Sequence, residues 1–297
     1  MHHVHRRRSR KCPDLGTRLA SPATRELRRN SPGGRVTSMP ILKSGEAGIH
    51  YALEGQSGLP VLVFSNSLGA NHSMWDQQAS EFRKKFRILR YDTRGHGQSS
   101  STPGPYSTEL LAKDVIALLD ALDLDRVHFC GLSMGGMIGM WLGVHAPGRL
   151  NKLVLCNTGA RIGTIETWNA RIEAVRKNGM KSVAPAIIER WFTPAFRQKV
   201  SNTMAKILKM IEEANPSGYV ACCAAIRDFD CREQLGKIHA PTLVISGAHD
   251  PATPPADGRF LAQQILGARY VELNAAHLSN IEAQDRFNDE LAAFLNP

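Results

Sequence analysis

Between His128 and Trp141 the chain reads HFCGLSMGGMIGMW, and this stretch limits the possible folds more than any other. A β-rich apolar run passes into small and apolar residues at helical spacing with no linker, and one serine stands at the junction between two glycines. Gly131-Leu132-Ser133-Met134-Gly135 fits the G-x-S-x-G pattern, a strand-to-helix turn so tight that only glycine is tolerated on either side of the serine. Gly136, Gly139 and Gly143 further along let the following helix pack closely on a sheet. The turn leaves the serine at its tip and calls for a strand buried between others.

The rest of the chain supplies those strands. From Met39 onward, GIHYALEG, PVLVFSNS, FRILRYD, RVHFCGLS, KLVLCNT, PTLVISGAHD and ARYVELNAAH read as strands, separated by helical stretches such as Thr108 to Leu122 and Phe260 to Leu266. The alternation predicts an α/β fold, a mainly parallel central sheet flanked by helices. One interval breaks the rhythm. Residues 163–237 contain no strand candidate and carry apolar positions at helical spacing, which predicts an inserted helical cap over a core made of residues 39–162 and 238–297.

A serine hydroxyl is a weak nucleophile and needs a base, which in turn needs an orienting acid. Asp250 ends the strand-like TLVISGAHD and His277 follows the last strand in VELNAAHLSN, so the order is Ser133, Asp250, His277, each at a strand's carboxyl end. A tetrahedral intermediate also needs backbone N–H donors. Met134, directly after the serine, supplies one, and Leu68 in the SNSLG loop after PVLVF supplies the other, with Asn66 and Ser67 shaping that loop. Asp92, Arg94 and His96 in DTRGHGQSS read as a hydrogen-bonded turn rather than as chemistry. His145 reads as a helix end and His249 as surface.

Composition mainly excludes alternatives. The net charge of +10 would suggest a nucleic-acid partner if spread over the fold, but residues 1–40 hold 10 Lys and Arg against 2 Asp and Glu. Residues 161–240 hold 13 against 8, so what remains is slightly acidic. The basic segment 1–38 shows no apolar periodicity and is expected to be disordered, and Met39 opens a sensible domain start, which favours an early start-codon assignment. Its cluster His2, His3, His5 is expected to be incidental. The six cysteines, from Cys12 to Cys231, form no C-x-x-C pair and no disulfide framework, and no apolar run is long enough for a bilayer. Neither nucleic acid nor membrane is expected as a partner.

On the stretches SNSLGANHSMWDQQ, FRILRYDTRGHGQSS, FCGLSMGGMIGMWLG, LVLCNTGARIGTIETW, RWFTPAF, LVISGAHDPATPP and ARYVELNAAHLSNIE, the chain from Met39 resembles the α/β-hydrolases, and within them the 3-oxoadipate enol-lactonases. The resemblance implies a Ser133–His277–Asp250 triad that hydrolyses a small anionic enol-lactone without a cofactor, in the cytoplasm, during aromatic-acid breakdown by the β-ketoadipate pathway. Carboxylesterases, C–C bond hydrolases and perhydrolases share the elbow and triad positions. An anionic substrate needs a cationic anchor, and the basic cap is the place to look. Arg161, next to a strand tip, is the first candidate, followed by Arg190 and Trp191.

Overall fold

A computed structural model describes Met1 and residues 40–296. The tail expectations, Cys12 and the cluster His2, His3, His5 lie outside the described residues. Eight strands form one sheet: β1 (Ile41–Ser44), β2 (Ala47–Glu54), β3 (Val61–Ser65), β4 (Arg87–Tyr91), β5 (Val127–Leu132), β6 (Leu150–Cys156), β7 (Thr242–Gly247) and β8 (Arg269–Leu273). Their spatial order is β1-β2-β4-β3-β5-β6-β7-β8. β1 and β2 pair antiparallel, as do β2 and β4, and every pairing from β4 across to β8 is parallel.

The strands form where the sequence is continuously apolar, because a parallel strand is covered on both faces. Every residue of β3, β5 and β7 is buried. Helices α1 (Asp76–Phe82), α2 (Thr108–Ala121) and α3 (Met134–His145) follow strands β3, β4 and β5. The helices α9 (Pro255–Gln264), α10 (Ser279–Glu282) and α11 (Gln284–Leu295) complete the layers. Between the sheet and α11, Trp75 stacks on Phe64 at 4.7 Å between ring centroids and meets Phe287 at 6.1 Å. Burying one such ring contributes about 2 to 3 kcal/mol.

Two features differ from the sequence reading. The first strand is β1, four residues at the sheet edge with only Ser44 buried, too short and too exposed to show an apolar pattern. Between β6 and β7 run α4 (Ile165–Asn178), α5 (Ala184–Trp191), α6 (Pro194–Lys199), α7 (Ser201–Glu212) and α8 (Pro216–Arg227). The stretch FRQKVSNTMAKILKMIEE, periodic throughout, is divided at Val200, whose backbone leaves the helical region at φ −127°, ψ 56°.

β3 lies between β4 on one side and β5 on the other, so the chain changes direction across the sheet there. Loops after β3 and β5 therefore diverge and leave a crevice at the strands' carboxyl ends, the usual ligand position in an open α/β sheet. Among the described residues no helix is long and apolar enough to cross a membrane.

Candidate active site

Ser133 sits on the turn between β5 and α3 with φ 57° and ψ −114°, a conformation that costs about 1 to 3 kcal/mol for a non-glycine residue. Its surroundings hold it there. The Ser133 N–H donates to Cys156 O at 2.9 Å, and its carbonyl accepts from Thr158 Oγ1 at 2.8 Å and Met137 N at 3.1 Å. The flanking glycines are required by space. A Cβ on Gly131 would fall 2.1 Å from Gly135 O, and one on Gly135 would fall 2.3 Å from Ser65 O.

The structure brings Asp250 and His277 together. His277 Nδ1 lies 2.8 Å from Asp250 Oδ2, and both residues are buried. An ionised carboxylate only accepts, so Nδ1 carries a proton and Nε2 is the ring nitrogen left clear of Asp250. Asp250 Oδ2 also accepts from Thr253 Oγ1 at 2.6 Å and Asn157 Nδ2 at 3.0 Å, while Oδ1 accepts the N–H of Ala252 and Thr253. Burial alone would raise the Asp250 carboxyl, but the His277 charge and these hydrogen bonds outweigh it and hold the group at about 2. Asn157 is itself fixed by Ser279 Oγ, which donates to its Oδ1 at 2.6 Å, and by Ala276 O. Asn157 and Thr253 are absent from the sequence reading. The local signals are CNTG at a strand end for Asn157 and the turn HDPATPP for Thr253.

Leu68 lies in the loop after β3, where Gly135 N donates to Asn66 O at 3.0 Å and Asn66 Nδ2 donates to Tyr91 O at 2.8 Å. Among the described residues neither the Leu68 nor the Met134 N–H has a hydrogen-bond partner. Ser67, Leu68, Ser133, Thr253 and His277 line one cavity of about 180 Å³.

The same cavity is also lined from α4, α5 and α8 by Trp168, Arg171, Arg190, Trp191 and Tyr219. The candidates Arg190 and Trp191 both line this cavity. Arg161 does not line this cavity; its side chain is 42% exposed and lies 3.9 Å from Asp230. Proximity to a strand tip gave its position but not its direction. Arg171, one helical turn after Trp168 and 5.0 Å from that ring's centroid, takes the place expected of Arg161. Among the described residues neither Arg171 nor Arg190 pairs with a carboxylate within 4.0 Å. Burial, and then the Arg171 charge, push the Arg190 guanidinium below its ordinary value.

Asp92 and Arg94 serve the turn. Arg94 makes two hydrogen bonds to buried Asp114, from Nε at 2.8 Å and Nη2 at 2.5 Å. His50, His72 and Asp92 have potential metal-ligating atoms within 4.8 Å of one another. The Asp92 oxygens already accept from both imidazole Nδ1 atoms and from the N–H groups of His72 and Gln98. Four donors saturate the carboxylate, so the cluster fits a hydrogen-bonded turn better than a cation site.

Buried titratable groups set an acid response. Burial holds His96 neutral down to about 4 from an ordinary 6.5, so below 6.5 the unfolded chain takes up a proton that the native state refuses. This contribution is complete above pH 6.5 and is lost as pH falls to 4, on the order of 3 kcal/mol. Asp250 acts in the same direction lower down, its contribution being complete above 3.8 and lost toward 2. Urea midpoints measured from pH 8 to 3 are expected to decline from about 6.5 downward. A flat profile to pH 4.5 would contradict the buried neutral His96.

A family profile described as alpha/beta hydrolase fold matches residues 60–284. The chain is 43% identical over 254 residues to 3-oxoadipate enol-lactonase 2 of Acinetobacter baylyi, covering 86% of this chain and 95% of that enzyme. It is 38% identical to 3-oxoadipate enol-lactonase 1 of the same organism over 82% of this chain and 91% of the relative. The crystal structure of the enol-lactonase from Burkholderia xenovorans superposes with a TM-score of 0.85 at 44% identity, covering 86% of this chain and 99% of that one. With the elbow, the mainly parallel sheet and this similarity over nearly the full length of its relatives, the chain belongs to the α/β-hydrolase family.

Proposed function

We propose that this hydrolase opens 3-oxoadipate enol-lactone to 3-oxoadipate through a Ser133–His277–Asp250 triad and an acyl-enzyme. The observation that carries the substrate class is the pair Arg171 and Arg190, two cations without carboxylate partners among the described residues, lining the same small cavity as Ser133 and His277. A carboxylate there gains charge-assisted hydrogen bonds and relieves the repulsion between them. A neutral ester gains neither, which favours the lactonase reading over a general carboxylesterase. In this reading α4 to α8 act as the cap, and Trp168, Trp191 and Tyr219 shape the space for the ring.

His277 Nε2 takes the Ser133 proton as Oγ attacks the lactone carbonyl. The oxyanion is received by the Leu68 and Met134 N–H groups, Met134 being at the positive end of α3. Collapse breaks the bond to the enol oxygen, which leaves as an enolate, and the His277 imidazolium returns its proton to this leaving group, which becomes the ketone and leaves Nε2 free. Water then attacks the acyl ester as Nε2 takes its proton, and that proton passes to Ser133 Oγ as the acid is released.

The arginine assignment is tested with the lactone and its methyl ester, in which the carboxylate is neutralised. Arg171→Gln and Arg190→Gln are each expected to raise KM for the acid about 10- to 100-fold with kcat little changed, because a charged hydrogen bond contributes about 1.5 to 3 kcal/mol. Preference for the acid over the ester should shrink by the same factor. An unchanged KM in both variants would remove the arginines from the site.

A further inference from the structure

We propose that His96 is a positioning residue for the oxyanion hole, acting through the Gly69 amide. The Gly69 N–H donates to His96 Nε2 at 2.9 Å across 27 residues of sequence. Gly69 directly follows Leu68, whose N–H has no partner among the described residues, so the peptide that His96 grips adjoins the proposed donor. Gly69 has φ +84°, a left-handed turn that sets the direction of the preceding amide and that glycine allows.

The grip depends on one tautomer. Nε2 accepts, so it carries a lone pair, and the ring proton is on Nδ1, which faces Arg94 O at 3.4 Å and Cys222 Sγ at 3.9 Å. The ring is buried beside Tyr219 at 6.4 Å between centroids, and burial keeps it neutral. The loop has other anchors on the near side: Asn66 is held by Gly135 and Tyr91, the Ser67 N–H donates to Met74 Sδ at 3.4 Å, and the Ser67 carbonyl accepts from the Ala70 N–H at 3.1 Å. His96 is the side chain that holds the following peptide, Leu68–Gly69, from the other side of the proposed donor. The turn DTRGHGQSS thereby has a task besides its own hydrogen bonds: Arg94 fixes it to α2, and His96 reaches from it to the loop.

This inference rests on the reading that the Leu68 N–H receives the oxyanion of an attack by Ser133. Its test uses the full chain, with lactone turnover and the affinity of n-butylboronic acid, whose tetrahedral serine adduct places an oxygen where the oxyanion forms. His96→Leu fills the ring's space without an acceptor, and His96→Gln can present Oε1 near the Nε2 position. His96→Leu is expected to lose about 10- to 100-fold in kcat and a similar factor in boronate affinity with KM nearly constant, since misplacement by about 1 Å can cost 10²-fold. His96→Gln is expected to recover most of both. A packing role would instead leave the boronate-to-substrate ratio unchanged and gain nothing from Gln, and that result overturns the assignment.

Should His96→Leu not fold, imidazole ¹⁵N spectra of the unaltered chain at pH 7 decide. An unprotonated Nε2 coupled to the Gly69 amide supports the role, and a protonated Nε2 overturns it. Ser133→Ala measured alongside separates the two levels. Turnover surviving in that variant overturns the serine reading and the oxyanion role with it, whereas an inactive Ser133→Ala with an unimpaired His96→Leu overturns only the role of His96.

Discussion

Ser133→Ala is expected to lower kcat on 3-oxoadipate enol-lactone by about 10⁶-fold, the scale of removing the nucleophile from a serine triad. KM should change little, because the arginines and aromatic rings of α4, α5 and α8 remain in place. The fold should be unaffected. Among the described residues Ser133 Oγ has no hydrogen-bond partner, and the left-handed backbone at φ 57° is held by main-chain bonds that alanine keeps. Thermal unfolding is therefore expected to match the unaltered chain to within about 1 kcal/mol. Loss of activity with an intact melting curve identifies chemistry, whereas loss of both would point to a collapsed elbow. Retention of more than a small residue of turnover would remove Ser133 as nucleophile.

Asp250→Asn is the second large effect, about 10⁴-fold in kcat by comparison with triads in general. Asp250 Oδ2 accepts from His277 Nδ1, Thr253 Oγ1 and Asn157 Nδ2, so each of these three donors is satisfied by the same carboxylate. An amide can present only one acceptor. If its NH₂ faces His277, the imidazole must carry its proton on Nε2 and cannot accept one from Ser133. If the oxygen faces His277, the NH₂ is directed at the Ala252 and Thr253 N–H groups, leaving buried donors opposed. Either arrangement costs catalysis and leaves a buried donor opposed, Asn157 Nδ2 in the first and the Ala252 and Thr253 N–H groups in the second, so a lowered melting temperature is expected as well. An Asp250→Asn variant within tenfold of the unaltered turnover would exclude the orienting role.

What could be read from sequence divides along physical lines. Strands buried on both faces announce themselves as continuous apolar runs: β3, β5 and β7 fall within the stretches read for them, and β6 begins two residues before its stretch. Ser133, Asp250 and His277 follow from chain order and strand ends, and the structure puts Ser133 and His277 on one cavity with Asp250 hydrogen-bonded to His277. β1 was not legible, being a short edge strand exposed along most of its length. The break at Val200 was hidden because apolar spacing continues across it. Arg161 against Arg171 turns on where a side chain points, which neither spacing nor charge specifies; Trp168 and Arg171 share a helix face only once the limits of α4 are known. The bond from Asn157 to Asp250 and the link from His96 to Gly69 join residues distant in sequence, and a single chain carries no mark of such pairings.

The most direct test of the central claim is a side-by-side determination of kcat/KM for 3-oxoadipate enol-lactone and p-nitrophenyl acetate with the full chain. An elbow serine sharing one cavity with two arginines that have no carboxylate partner among the described residues predicts that the anionic lactone is preferred by orders of magnitude and is converted to 3-oxoadipate. Equal turnover of both, or preference for the neutral ester, would contradict the assignment of this site to an acidic enol-lactone.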